Sequence, residues 1–347
     1  MLGIERAQGQ SGPLVPVPMT PISLSRRSLL AGLAAALSGC GATVTGLGPI
    51  AGPPALADGA YVAADGTRLA YRRWLPPAGR PIRAVILALH GFNDYSASFA
   101  LPAPFWAYRG IATYAYDQRG FGASGTRLLW PGREALASDA DAVLRLVGAA
   151  HPGVPVFLLG ESMGGAVALA ALAAQPDLPV AGLMLVAPAV WRRDDIPFPG
   201  ALLLDLMAFA MPYNRMTPPD GFRVQPSDNA AVLSGLRDDP LVLKETRADS
   251  LQGLVDLMDA AAGGPMPRPD LPVLLLYGLR DELVPFEAVL RLSDRLAGGR
   301  AEFRRVFYDR GYHLLLRDHQ AARVWRDVAA WIADPGGLLP SEAQNRP

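Results

Sequence analysis

A serine framed by glycines, Gly160-Glu161-Ser162-Met163-Gly164, stands between the apolar run Val156-Phe157-Leu158-Leu159 and the small, helix-forming stretch Gly165 to Leu172. Strand, G-x-S-x-G, helix is the setting in which a serine hydroxyl is pushed out above a sheet on a tight turn. A hydroxyl is a poor nucleophile near neutral pH, so it needs a base, and the base needs an orienting partner. The chain has four histidines, few enough to weigh singly. His90 stands at a strand end beside Gly91, where it shapes a turn. His151, in Ala150-His151-Pro152-Gly153, precedes the nucleophile strand and so falls at the opposite end of the sheet from Ser162. His319 falls within the last helical stretch. His313 follows the last strand, on the carboxyl-end side where parallel sheets build their sites, and is the expected base.

Behind such an elbow the partners follow in the order serine, acid, histidine. Asp281, in Gly278-Leu279-Arg280-Asp281-Glu282, comes after an apolar strand and is the expected acid, with Glu282 its rival. Asp309 is too close to His313 in sequence to approach it from another strand, and Asp117 precedes Ser162 and suits bonding amides of its own loop. Two backbone N–H groups, of Met163 and of Phe92 after His90-Gly91, are expected to bind an oxyanion. This chemistry calls for neither a metal nor an organic cofactor.

The elements that must position these residues alternate. Tyr61 to Trp74 reads as a hairpin around Asp65-Gly66, and Arg83 to Leu89 as a strand buried on both faces. A helical stretch from Ser98 to Tyr108, a strand Ile111 to Tyr116 and an amphipathic helix Glu134 to Ala150 lead to the nucleophile strand. After the helix behind Ser162, Gly182 to Val186 is again strand-like. The order resumes with a strand Leu271 to Tyr277, a helix Pro285 to Leu296, a strand Glu302 to Tyr308 and a last helix Leu315 to Ile332. Strand and helix in turn predict an α/β protein with a doubly wound, mostly parallel sheet.

Residues 191–268 break the rhythm; a structureless loop of that length is improbable, so a small helical insert is expected there. Its apolar segment Leu202 to Met211, with Leu203 and Met207, is expected to join Trp191 and Phe198 in an acyl-chain tunnel over Ser162. The plainer reading, that these side chains are the insert's own core, stands beside it.

The chain's start reads as an address. Ser25-Arg26-Arg27-Ser28-Leu29-Leu30 resembles a twin-arginine export signal, and the apolar run Leu29 to Leu37 is too short to span a bilayer. Leu37-Ser38-Gly39-Cys40 resembles the lipobox of bacterial lipoproteins, which implies cleavage before Cys40, its acylation, and residence in the cell envelope, the outer membrane favoured. Met19 is an alternative start that gives a compact leader. Residues 41–60, rich in Gly, Pro and small side chains, read as a tether, and 336–347 as a tail.

The totals bound the rest. The 347 residues are half hydrophobic, ample for one large core, with 61–190 and 269–335 assigned to it. Basic and acidic residues balance at 32 each, so nothing in the net charge points to nucleic acid. Cys40 is the single cysteine, which rules out an intrachain disulfide.

His90-Gly-Phe-Asn-Asp-Tyr-Ser96, Asp117-Gln-Arg-Gly-Phe-Gly-Ala-Ser124, Gly160-Glu-Ser-Met-Gly-Gly165, Gly278-Leu-Arg-Asp-Glu-Leu-Val-Pro285 and Tyr312-His313 resemble, in order, the motifs of α/β hydrolases. Within them the chain is similar to the monoacylglycerol lipase and lysophospholipase group, from about Tyr61 to Ala333. The resemblance implies the same Ser162–Asp281–His313 triad, a cap between the strands flanking Trp191 and Leu271, and hydrolysis of carboxylic esters of single-chain lipids. Aminopeptidase, thioesterase and lactonase chemistry occur on the same fold, as would a non-catalytic lipid-binding lipoprotein. Asp194, Asp195 and Glu245 are the carboxylates that would serve a substrate amine.

Overall fold

Ala84–Leu89 shows why the sheet forms. Val85, Leu87 and Leu89 enter one core cluster, Ala84, Ile86 and Ala88 the other, so both faces of the strand are covered. The computed structural model of the protein describes residues 44–196, 200–217, 224–300 and 302–344. In chain order its elements are β1 (Ala55–Ala57), β2 (Ala60–Val62), β3 (Arg68–Trp74), β4 (Ala84–Leu89), α1 (Pro102–Ala107), β5 (Ile111–Tyr116), α2 (Arg133–Ala150), β6 (Val156–Glu161), α3 (Met163–Ala174) and β7 (Gly182–Val186). The inserted region carries α4 (Gly200–Ala210), β8 (Arg215–Met216), α5 (Ala230–Asp238), β9 (Thr246–Arg247) and α6 (Ala248–Gly263). The core then closes with β10 (Val273–Gly278), α7 (Phe286–Ala297), β11 (Phe303–Tyr308), α8 (Ala321–Ala333) and α9 (Pro340–Gln344).

Nine strands pair in the order β1-β2-β3-β5-β4-β6-β7-β10-β11. The first three run antiparallel and the remaining six are parallel to one another. α2, α3 and α7 cover one face, and α1 and α8 the other, where Trp106 and Trp331 are fully buried. α3 is apolar all round and nearly wholly buried, whereas α7 is amphipathic and buries Ala288, Val289, Leu292 and Leu296 along one stripe. This is the α/β-hydrolase arrangement, with α4 to α6 inserted between β7 and β10.

Several boundaries differ from the expectations. Within the segment read as a tether, residues 44–60 run along the core where they are described. Thr45 and Gly46 donate to the carbonyls of Trp130 and Pro131, Ala51 donates to Ala64, and β1 pairs with β2. Small residues leave the backbone free to bond, and here it does so against a sheet edge. The tail is likewise anchored, since Leu339 is buried and Ser341 N–H donates to Asp327. The stretch 98–108 divides into a 3₁₀ turn at Ser96–Phe99 and α1, because prolines at 102 and 104 suit only a helix start. The last helix begins at Ala321, so His319 lies ahead of it, its N–H donating to Asp228. The insert is mainly helical but also holds the two-stranded β8–β9 ladder. Cys40, Arg26, Arg27, Met19 and Phe198 lie outside the described residues.

Candidate active site

β6 delivers Ser162 into a backbone conformation that side chains rarely adopt, φ 54° and ψ −118°. The elbow holds it there: Ser162 N–H donates to Val186 O at 3.0 Å, and Ser162 O accepts from Gly165 and Ala189, each at 2.9 Å. Gly164 is needed for close approach, since a Cβ on it would stand 2.0 Å from the carbonyl oxygen of Leu89. The strain therefore falls on the serine itself, while the glycines give it room.

His313 leaves β11 through the turn 309–312 and is 4% exposed. The Ser162 hydroxyl donates to His313 Nε2 at 3.0 Å, and Nδ1–H donates to Asp281 Oδ2 at 2.8 Å. A carboxylate only accepts, so the proton sits on Nδ1 and leaves Nε2 free to take one from the hydroxyl. Asp281 is held by its own loop, its Oδ1 accepting from Leu283 and Val284 at 2.8 and 3.0 Å. Glu282 turns away and accepts from Gln225 N–H of the insert. The acid and base loops meet because β10 and β11 are neighbours: Arg280 N–H donates to Gly311 O at 2.8 Å.

Of the other histidines, His90 and His151 fall where their positions imply. His90 is fully buried; its Nε2 accepts from Gln118 N–H at 2.9 Å and Nδ1–H donates to Gly91 O. Burial lowers its pKa against the pull of that carbonyl, so it is a neutral brace between β4 and the 117–124 loop. His151 pairs with Tyr114 Oη, beside Val154 and Pro155 at the far end of β6. Asp117 accepts from Ala123 N–H of its own loop and from Ser96 of the neighbouring one.

Phe92 follows Gly91, on which a Cβ would lie 3.3 Å from Ser162 Cβ and 3.7 Å from Oγ. Phe92 and Ser162 line the same cavity, and Met163 N–H stands at the start of α3, where helix geometry leaves it without an internal partner. Neither the Phe92 nor the Met163 N–H is committed to another acceptor among the described residues. Together these groups can receive the negative charge of a carbonyl oxygen under attack at Ser162.

Above them lies a cavity of about 600 Å³ whose surface is mostly apolar. Trp191 lines it, with Ile196, Leu204, Leu254, Val255 and Met258. Leu203 and Met207 do not: Leu203 is 55% exposed on the outer side of α4, and Leu204, one position on, faces inward. Apart from Asp205, α4 is apolar on every side, so its inner face carries no clear signature in the sequence. α6 does carry one, because Leu251, Leu254, Val255 and Met258 recur at helical spacing along the cavity.

Three charged residues also line the cavity. Arg317 lies 2.7 Å from Asp94 and 3.3 Å from Glu161. Burial raises the pKa of Glu161, and the attraction of Arg317 does not offset this in full. Asp194, Asp195 and Glu245 do not reach the cavity; they pair with Arg192, Arg291 and Arg215 respectively. Among the described residues there is no cluster of three or more His, Cys, Asp or Glu that could hold a metal ion.

Residues 80–320 match the family described as serine aminopeptidase, S33. The chain is 28% identical over 286 residues to a monoacylglycerol lipase of Mycolicibacterium smegmatis, covering 78% of this chain and 95% of that one. It is 27% identical over 280 residues to a monoglyceride lipase of Homo sapiens, covering 78% and 89%. Among solved structures, a Paleococcus ferrophilus monoacylglycerol lipase superposes with a TM-score of 0.64 at 22% identity, over 77% of this chain and 99% of that one. A soluble variant of monoglyceride lipase from Saccharomyces cerevisiae gives 0.65 at 19%, over 84% and 98%. With a strand-borne serine elbow, a nine-stranded hydrolase sheet and a family match over most of its length, the chain belongs to the serine aminopeptidase S33 family of α/β hydrolases.

Proposed function

We propose that the protein is a serine hydrolase that cleaves carboxylic esters of single-chain lipids, monoacylglycerols or lysophospholipids, through an acyl-enzyme. The observation that carries this reading is the position of His313, 3.0 Å from the Ser162 hydroxyl and 2.8 Å from the Asp281 carboxylate. Ser162 Oγ attacks the ester carbonyl while His313 Nε2 takes its proton; Asp281 stabilises the imidazolium. The amides of Phe92 and Met163 hold the oxyanion, each supplying roughly 2.7–4 kcal/mol of transition-state stabilisation. Imidazolium then protonates the departing alcohol, and water, deprotonated by the same histidine, releases the acid.

The cavity supports the substrate class. Its apolar walls accept a hydrocarbon chain and offer little to a peptide. An aminopeptidase would need a carboxylate free to meet the substrate's amine, and the cavity's own carboxylates, Asp94 and Glu161, are already paired with Arg317. The lipase names of the relatives point the same way.

Labelling with a fluorophosphonate tests the nucleophile, and a panel of monoacylglycerols and p-nitrophenyl esters of graded chain length tests the substrate. Labelling abolished by Ser162→Ala, with turnover of long-chain esters, is the expected result. A folded protein that does not label would return the chain to the role of a lipid-binding lipoprotein.

Membrane tethering through a lipid on Cys40, after twin-arginine export, is proposed from the Arg26-Arg27 and Leu37-Ser-Gly-Cys40 patterns alone. No helix of the described residues is long and apolar enough to cross a membrane. Mass spectrometry of the mature amino terminus decides the matter: a diacylglyceryl-modified Cys40 supports it, and an unmodified chain starting at Met1 or Met19 refutes it.

A further inference from the structure

Arg317 has no part in the reaction just described, yet it lines the cavity and holds both of the cavity's carboxylates. Its Nη2 stands 2.7 Å from Asp94 Oδ2 and donates to Glu161 Oε2 at 3.3 Å. The side chains of Arg317, Asp94 and Glu161 are 6, 10 and 1% exposed. Such a cluster gives up the hydration of three charges, and buried ion pairs are weak evidence for a gain in stability. Its use must be sought in what it joins.

Each member belongs to a different functional segment. Glu161 is the residue before Ser162. Asp94 lies two residues after Phe92, and Tyr95 N–H donates to its Oδ1, which fixes the carboxylate to that loop. Arg317 is four residues after His313, in a turn closed by its own N–H to Leu314 O at 2.8 Å. One nitrogen with two hydrogens therefore spans the segments that carry nucleophile, oxyanion donor and base. We propose that Arg317 is a positioning residue that keeps Ser162, His313 and the Phe92 amide in mutual register by tying their segments together. The inference rests on the serine-hydrolase reading.

A lysine retains the charge but presents it as a compact point on a flexible stem, without the rigid planar NH₂ whose two hydrogens are aimed at two carboxylates. Arg317→Lys should fold, keep KM for a monoacylglycerol within about threefold, and lose at least about tenfold in both kcat and the rate of fluorophosphonate labelling. The labelling rate matters because the probe has no glycerol to recognise. Glu161→Gln and Asp94→Asn, which preserve volume, complete the test: with one shared clamp, the double variant should label no more slowly than the worse single variant.

A folded Arg317→Lys that labels within about twofold of the native rate overturns the proposal, as does a double variant whose losses multiply. A raised KM with unchanged labelling also overturns it, because the cluster would then be reading substrate. Should the lysine variant not fold, the amide pair alone decides. Native protein that fails to label refutes the proposed function instead, which keeps the two failures apart.

Discussion

Asp281 divides its carboxylate between two tasks: Oδ2 receives His313 Nδ1–H at 2.8 Å, and Oδ1 receives the amides of Leu283 and Val284. The second set of bonds fixes the first, because a carboxylate pinned by its own loop cannot rotate away from the imidazole. Asp281→Asn keeps the volume but sets an NH₂ against one of its donors, the imidazole N–H or the loop amides. The imidazole is then driven to the wrong tautomer or loses its orientation. A fall of roughly 10⁴-fold in kcat is expected, with the melting temperature little changed. Glu282→Gln, one residue on, should stay within about twofold, since that exposed side chain only receives Gln225 N–H. Steady-state kinetics of the two variants side by side checks the assignment.

Ser162 stores strain at φ 54°, ψ −118°, of the order of 1–3 kcal/mol for a residue with a Cβ. Ser162→Gly releases it, although glycine gives back roughly 0.5–1 kcal/mol through a freer unfolded chain. Urea unfolding should therefore find Ser162→Gly about 1 kcal/mol more stable than Ser162→Ala, both being inactive. Equal stabilities would mean that the strain is no larger than the roughly 0.5–1 kcal/mol that glycine gives back.

The cavity wall predicts a difference between adjacent leucines of α4. Leu204 faces inward, so Leu204→Trp should shorten the preferred acyl chain, read as a shift in the kcat/KM profile across ester lengths. Leu203 is turned to the outside, and Leu203→Gln should leave the profile for soluble short esters within about twofold. Reversal of the two effects would mean that the helix packs in the other phase.

Asp318 supports the histidine turn by accepting Tyr312 N–H at 3.1 Å and Gln320 N–H at 3.1 Å. Burial pushes its carboxyl up to about 6, against the pull of those amides. The folded form thus holds its proton more tightly than the unfolded chain does. The stability this contributes is complete below the unfolded value of about 3.9 and is lost as pH rises through about 6. Asn at this position cannot titrate. The melting temperature of Asp318→Asn, relative to the native protein, should climb between about pH 4 and 6.5 and then level off. A difference that stays constant with pH would contradict the shift.

Much of the sheet and the convergence of Ser162, Asp281 and His313 were legible in the chain, for one physical reason. Strands buried on both faces read as unbroken apolar runs, and Ser162 and Asp281 each follow one; His313 follows the half-buried edge strand β11, legible by its alternation with the helices. Other features carried weaker signals. β1 is only three residues long, with Leu56 its single large apolar side chain. Leu315 and Leu316 are buried in the turns before α8, and their apolar character made the helix read too early. The inner face of α4 was unreadable because its apolar residues circle the helix. Nothing in their own segments marks Asp94 and Arg317 as partners; only the meeting of loops remote in sequence does.

The saturated backbone around Ser162 leaves that residue no slack: its N–H and carbonyl are both engaged and its neighbouring glycines are in contact. The reacting oxygen is a fixed origin, and a bulkier or longer ester can be accommodated only by the walls above it. Those walls come largely from residues 191–258, a separate stretch of chain laid over the sheet-borne floor. Selectivity and reactivity thereby reside in different parts of the polypeptide, so a substitution in the first can retune the chain length accepted without displacing the second.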